Sequence, residues 1–315
     1  MLLLAACATN EAPNTSQKIT PIAKNKIKLQ QYVEQLSSSV PSERAWAVYN
    51  IGKYSKFARN TVPSLIAVLG DNATAVMSRN VGKDFSSGTT TTTASEAVKT
   101  LAKIGLASVK PLIKALKDSN NNVVQKAIRT LGLIGHSDSI KPLVQFLTHQ
   151  EMTIRLEAAN SLSRIKNPWV AEYFLKALEN DNPNVRSTAL YGLGKMNNPV
   201  AIPGLLKLIN DPNVAVRSQV IYVLSKSRDV RVIEPLIKQS SSGDVEHQVD
   251  VIQALGNIRD YRVIEQLLVL LKDNNKKIKV ASASALSQIS DVDFGVNFSK
   301  WQHWWQEKLR RSKGK

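Results

Sequence analysis

Apolar residues recur along the chain with two superimposed rhythms, a short one of three and four positions and a long one of 31. The short rhythm is helical. Val185, Ala189, Leu190, Leu193 and Met196 make one stripe, and Ile202, Leu205, Leu206 and Ile209 make a second, each falling on one side of an α-helix. Asn197-Asn198-Pro199 separates the two stripes, and Asn210-Asp211-Pro212-Asn213 leads into the next pair. Asn and Asp side chains accept from the unpaired N–H groups of a helix start, and Pro fits the first turn. The predicted unit is therefore helix A, a turn, helix B and a capped link.

The long rhythm repeats this unit. Stepping by 31 gives Leu131, Leu162, Leu193, Leu224, Leu255 and Leu286 in one register, and Leu112, Leu143, Phe174, Leu205, Leu236 and Leu267 in another. A third gives Val109, Ile140, Ala171, Ile202, Ile233 and Ile264, and a fourth Ala127, Ala158, Ala189, Val220, Val251 and Ser282. Four registers in phase predict stacked helix pairs, because one pair alone leaves too much of its apolar stripe in water and neighbours must cover it. The expected fold is all-α, with about eight such pairs.

The pattern continues outward in weaker form. Leu29, Tyr32, Val33 and Leu36 predict a leading B helix; Arg44, Ala47, Ile51 and Tyr54 the next A helix; Val62, Leu65, Ile66 and Leu69 its B helix. Ala94, Ala97, Leu101 and Ile104 begin a further unit. The Thr-rich stretch near 72–93 reads as an insert, an exposed loop or a small hairpin. Trp301, Trp304 and Trp305 share one face of a closing helix, and such a stripe caps the open end of a stack. The division is then a signal remnant at 1–7, a polar tether at 8–27, the repeat array at 28–298 and a capping helix with a basic tail at 299–315.

Gly132, Gly194 and Gly256 alternate with Ser163, Ser225 and Ser287 along one register, where small side chains let helices approach closely. Arg155, Arg186 and Arg217 share another, continued by Gln248 and Lys279. Two roles suit these arginines: a ladder for an extended acidic ligand, or bridges into the loops between repeats.

Asp181, Val185, Arg186, Ala189, Leu193 and Gly194, followed by Ala201, Ile202, Pro203, Leu205 and Leu206, resemble the unit of the HEAT-repeat family, in its bacterial form first named for phycobilisome lyases. Asp211, Val216, Arg217, Leu224, Ile233, Leu236 and Ile237 resemble it again, and Asp293-Phe294-Gly295 with Trp301 is similar to the ending of many bacterial HEAT chains. The resemblance runs from about residue 28 to 310. It implies a right-handed α–α superhelix of the HEAT/armadillo type, an arginine that bridges to the adjacent loop, and B helices lining a concave face. It does not imply one function, since such arrays serve as scaffolds, adaptors, lyase subunits and nucleic-acid binders.

Charge narrows the choice. The 315 residues hold 42 Lys and Arg against 25 Asp and Glu, a formal charge of +17, which favours an acidic partner. Part of this charge is periodic. Lys114, Lys176, Lys207 and Lys238 share one B-helix register, completed by Gln145 and Val269; Lys110 and Lys141 occupy another, followed by Glu172, Pro203, Glu234 and Glu265. Both registers point away from the apolar stripe, so Lys110, Lys114, Lys141, Lys176, Lys207 and Lys238 are the expected binding residues, in a groove that turns acidic towards Glu265. His136, His149, His247 and His303 are dispersed without metal-ligand spacing, and no nucleophile elbow, P-loop or dinucleotide fingerprint occurs. Neither metal nor cofactor is expected.

The one cysteine, Cys7, ends Leu4-Ala5-Ala6-Cys7, which resembles the lipobox of bacterial lipoproteins, where the cysteine is lipidated. Ala8 to Gln17 is polar and suits a tether. The six residues before Cys7 carry no basic side chain, less than a secretory signal needs, so the start is expected upstream with Met1 inside the signal. The combined expectation is a non-catalytic scaffold, lipid-anchored at Cys7 and facing the periplasm, that binds a protein or other anionic partner. Two alternatives stand beside it: a cytoplasmic phycobilin lyase-like chromophore attachment or chaperone protein, and a nucleic-acid-binding repeat protein.

Overall fold

The computed structural model describes residues 21–77, 89–227 and 229–313; Cys7, residues 8–20 of the expected tether and the middle of the Thr-rich insert lie outside them, whereas the last part of that tether, Pro21 to Ile27, is not a linker but the start of a helix, Pro21–Gln35. The described residues divide after Thr100 into two compact units. In the first lie α1 (Pro21–Gln35), α2 (Pro41–Lys53), α3 (Val62–Ala67), the strands β1 (Thr74–Met77) and β2 (Thr89–Thr92), and most of α4 (Thr93–Ile104). In the second, α5 (Leu106–Ala115), α7 (Ile140–Val144), α9 (Trp169–Ala177), α11 (Ile202–Lys207), α13 (Ile233–Gln239) and α15 (Ile264–Leu270) are the B helices. They alternate with the A helices α6 (Asn121–Ile134), α8 (Met152–Arg164), α10 (Pro183–Met196), α12 (Val214–Lys226), α14 (Val245–Ile258) and α16 (Lys276–Ser290), and α17 (Phe298–Lys313) closes the chain. The fold is the expected all-α repeat, and the one sheet among the described residues has two strands.

In the second unit the A helices pack in a row, α6 on α8 and so on to α16, and each B helix lies against the A helix that follows it. The apolar registers are the core of this row. Leu131, Leu162, Leu193, Leu224, Leu255 and Leu286 are all essentially inaccessible to water, as are Leu112, Leu143, Phe174, Leu205, Leu236 and Leu267. Phe174, the single aromatic in its register, is matched by Gly192, where an added Cβ would sit 2.3 Å from the ring. At Gly132 and Gly256 a Cβ would come within 2.4 Å of Ser161 and 2.6 Å of Gln288, so these two glycines permit the close approach. Gly194 does not act this way, because its surroundings are 3.2 Å off and belong to a side chain.

The loops follow their own 31-residue ladders. Asn167, Asn198, Asp229 and Asp260 each accept from the N–H two residues on, and His136 Nδ1 accepts likewise from Asp138. This bond opens a tight 3₁₀ turn before each of α7, α11, α13 and α15, so these B helices are shorter and tighter than a plain α-helical stripe predicts. At the other loop Asn120, Asn182, Asn213, Asp244 and Asn275 cap α6, α10, α12, α14 and α16. The two ladders satisfy N–H groups that have no partner within their own helix or turn.

In the first unit α2 is central. Ala45, Ala47, Val48 and Ile51 are buried, α1 packs on α2, and β1 packs on it as well. The Thr-rich insert is a hairpin at its base: Thr74 pairs with Thr92 and Val76 with Thr90, antiparallel, and Ala75 is buried while Val76 is exposed. Thr100 Oγ1 donates to Val48 O at 3.1 Å beside Gly52. At the C-terminal end Trp301 is fully buried and donates from Nε1 to Gly295 O. Trp305 stacks on Tyr261 with ring centres 6.2 Å apart. The tryptophans are a cap, and α17 covers α15.

One core position is poorly filled. Ser108, Ser139, Val170, Ala201, Val232 and Val263 share a buried register; Ser108 donates to Leu101 O, whereas the Ser139 hydroxyl has no partner. A buried hydroxyl without a hydrogen bond destabilises the fold by roughly 1 kcal/mol or more. Ser139→Ala is therefore expected to raise the urea midpoint by an amount worth ~1 kcal/mol, and Ser108→Ala to lower it.

Candidate binding face on the B helices

The six lysines stand two residues from buried register positions: Lys114, Lys176, Lys207 and Lys238 follow Leu112, Phe174, Leu205 and Leu236, while Lys110 and Lys141 precede Leu112 and Leu143. Two steps in an α-helix turn the side chain through roughly 200°, so a position two away from the core faces water. All six are exposed. Among the described residues none of them joins an ion pair; the pairs use other cations, such as Arg186 with Asp211 and Lys277 with Glu246.

The face is not uniformly basic. Both registers are basic on α5, α7 brings only Lys141, and from α9 onward acids intervene, with Glu172 and Glu179 on the Lys176 repeat and Glu234 on the Lys238 repeat, all exposed. Between α9 and α11 the surface dips into a groove of about 430 Å³. Leu175, Leu178 and Leu208 line it together with Lys176, Lys207 and Glu179. Gly204 and Val200 also line it, and neither was a candidate on sequence grounds. A signal existed, since the positions in register with Gly204 are Pro111, Pro142, Tyr173, Pro235 and Gln266, and only Gly204 lacks a side chain.

The arginine register is structural. Arg186 Nη1 donates to Asn180 O and Asp181 O at 2.9 and 3.0 Å, closing the loop before its own helix. Its Nε and Nη2 donate to both oxygens of Asp211, at 2.8 and 2.7 Å, in the next loop. Arg44 does the same with Ser38 O, Ser39 O and Asp71, and that hydrogen bond holds the Asp71 carboxyl below its ordinary value. Arg217 keeps the loop carbonyls of Asp211 and Pro212 but reaches Asp244 only at 3.6 Å. Arg155 bonds His149 O and Gln150 O, yet its buried Nε has no partner. The residue in register with Asp211 is there Asn180.

A second pocket, of about 440 Å³, lies at the turn edge near Lys226, Asp229, Arg259 and Asp260. Its acids are engaged: Arg231 donates to Asp229 and, with the loop N–H, holds that carboxyl at about 2, and Arg262 lowers Asp260 in the same way. Of the histidines, His136 and His149 accept loop N–H bonds through Nδ1. His247 is buried against Gln239, and its pKa is pushed down chiefly by that burial. No group of His, Cys, Asp or Glu among the described residues is placed to hold a metal, and no described helix is long and apolar enough to cross a membrane.

Three overlapping segments, residues 109–181, 171–245 and 233–294, match the family model for HEAT repeats. Among solved structures the chain is similar to a Kap121p mutant, with a TM-score of 0.54 and 13% identity over 85% of this chain and 35% of that one. A chain of the Kap95:Nup1 complex gives 0.50 and 13%, over 89% and 44%. The chain thus spans less than half the length of either. The complex of CpcE and CpcF of phycocyanin lyase from Nostoc sp. PCC7120 gives 0.40 and 21%, over 52% of this chain and 98% of that one. No curated protein matches the chain.

The orphaned Arg155 Nε supplies a test of the inter-repeat bridge. Asn180→Asp is expected to stabilise the protein by ~1 kcal/mol, through a charged hydrogen bond of the Arg186–Asp211 kind. In an Arg155→Ala background the same change should give nothing, and a gain that survives there would place its origin elsewhere.

Proposed function

Given that the chain belongs to the HEAT-repeat family over residues 109–294, we propose that it is a non-catalytic binding scaffold whose B-helix face holds an acidic segment of a partner protein, and that a lipid on Cys7 tethers it to the bacterial cell envelope, facing the periplasm. The observation that carries the binding role is the set of six exposed lysines, repeated in register on successive B helices and unmatched by ion pairs. Stacked repeats add such charges into one field instead of scattering them, which steers an acidic partner and weakens as salt rises. The tether rests on the lipobox-like Leu4-Ala5-Ala6-Cys7 and the polar residues after it.

Binding is tested with labelled polyglutamate followed by anisotropy. The triple change Lys176→Glu, Lys207→Glu and Lys238→Glu should weaken it at least about tenfold at low salt, with the melting temperature held, because all three side chains are exposed. Unchanged affinity would move the binding surface off this face. Duplex DNA that outcompetes polyglutamate would favour a nucleic-acid partner instead. For the tether, a chain restored to its upstream start should incorporate labelled palmitate in a bacterial host and lose that label on Cys7→Ala; label retained in the variant would remove the anchor from the reading.

A further inference from the structure

Between α9 and α11 one repeat departs from its neighbours at a single B-helix position. At the B-helix position held elsewhere by Pro111, Pro142, Tyr173, Pro235 and Gln266, α11 has Gly204. A Cβ built there would lie 2.6 Å from Leu175 Cδ2 and 3.5 Å from Leu178 Cδ1, so the end of Leu175 already occupies the place that a Cβ would need and rests against the α11 backbone. Beside this contact lies the groove of about 430 Å³, lined by Leu175, Leu178, Gly204 and Leu208 among others. Val200 is 65% exposed, and Trp169, in register with Val200 on the preceding repeat, is 63% exposed. Two large apolar side chains are thus left in water on adjacent repeats, and Val200, which lines the groove, loses hydration cost when another apolar group covers it.

Lys176 and Lys207 both line the groove, one from each repeat. Neighbouring helices in a stack lie roughly 10 Å apart, and a peptide in the extended polyproline-II conformation advances about 3.1 Å per residue and returns to the same face every third residue. Two carboxylates three positions apart therefore match the two ammonium groups, with an intervening residue over the groove. Glu179, which also lines the groove, repels an unbroken acidic run. From this juxtaposition we infer that the groove over Gly204 takes one apolar side chain from an extended partner segment in which two acidic residues about three positions apart bracket it. This rests on the lysine-face reading above and narrows it to a segment of mixed acidic and apolar character.

The test uses the full chain and three fluorescein-labelled peptides: a Gly-Ser segment with a central Glu-Leu-Ser-Glu, the same segment with Glu-Ser-Ser-Glu, and polyglutamate. The leucine peptide should bind about tenfold more tightly than its serine counterpart, as expected for half-burying one leucine side chain. Gly204→Ala should erase that difference while leaving serine-peptide and polyglutamate binding unchanged. The substitution meets only the flexible end of Leu175 and replaces glycine within a helix, so folding is retained; a melting curve checks this, and the comparison on the unaltered chain stands without it. Equal binding of the two short peptides, or binding of polyglutamate alone, overturns the groove and leaves the basic face. Failure of all three removes both.

Discussion

Each helix pair of the second unit buries its apolar stripe only because another pair covers it. The leucine registers are continuous from Leu131 to Leu286 and from Leu112 to Leu267, and every member is withdrawn from water. No single pair owns a closed core, so burial is shared between neighbours, and the fold is one-dimensional in its energetics. Both departures at the helix interfaces are compensated locally. Phe174 is accommodated by the missing Cβ of Gly192, and the tight contacts at Gly132 and Gly256 use small residues where neighbouring A helices touch. A volume change at one register position is felt by the adjacent repeat first, as close packing requires.

That shared core dictates what the remaining surface is free to do. With the apolar stripe facing inward and two ladders of Asn, Asp and His holding the loops, the exposed B-helix positions carry no structural task. The arginines illustrate the contrast. They are charged, periodic and superficially suited to an acidic ligand, yet Arg186 spends its guanidinium on two loop carbonyls and both oxygens of Asp211. The lysines on the B helices have no such engagement, which is why the binding proposal rests on them.

Much of this was legible before any coordinates. A period of 31 over six repeats is too regular to mistake, and the helical stripes, the caps and the tryptophan closure all follow from residue type and spacing. The misses share one cause: they depend on what lies across an interface. The orphaned Nε of Arg155 arises because Asn180, one repeat onward, replaces an aspartate. The groove beside Gly204 depends on Leu175 and Leu178, which come from the preceding repeat and line it. In each case the register alignment held the clue, but its meaning needed the third dimension.

The capping ladders have an evolutionary consequence. Since Asn167, Asn198, Asp229 and Asp260 tie down their turns with side chains that point back into the backbone, the geometry of each turn is insulated from drift on the outward helix faces. Recognition residues can then be exchanged one repeat at a time with the architecture untouched. Such a chain is a template on which new specificities arise by small, separable steps.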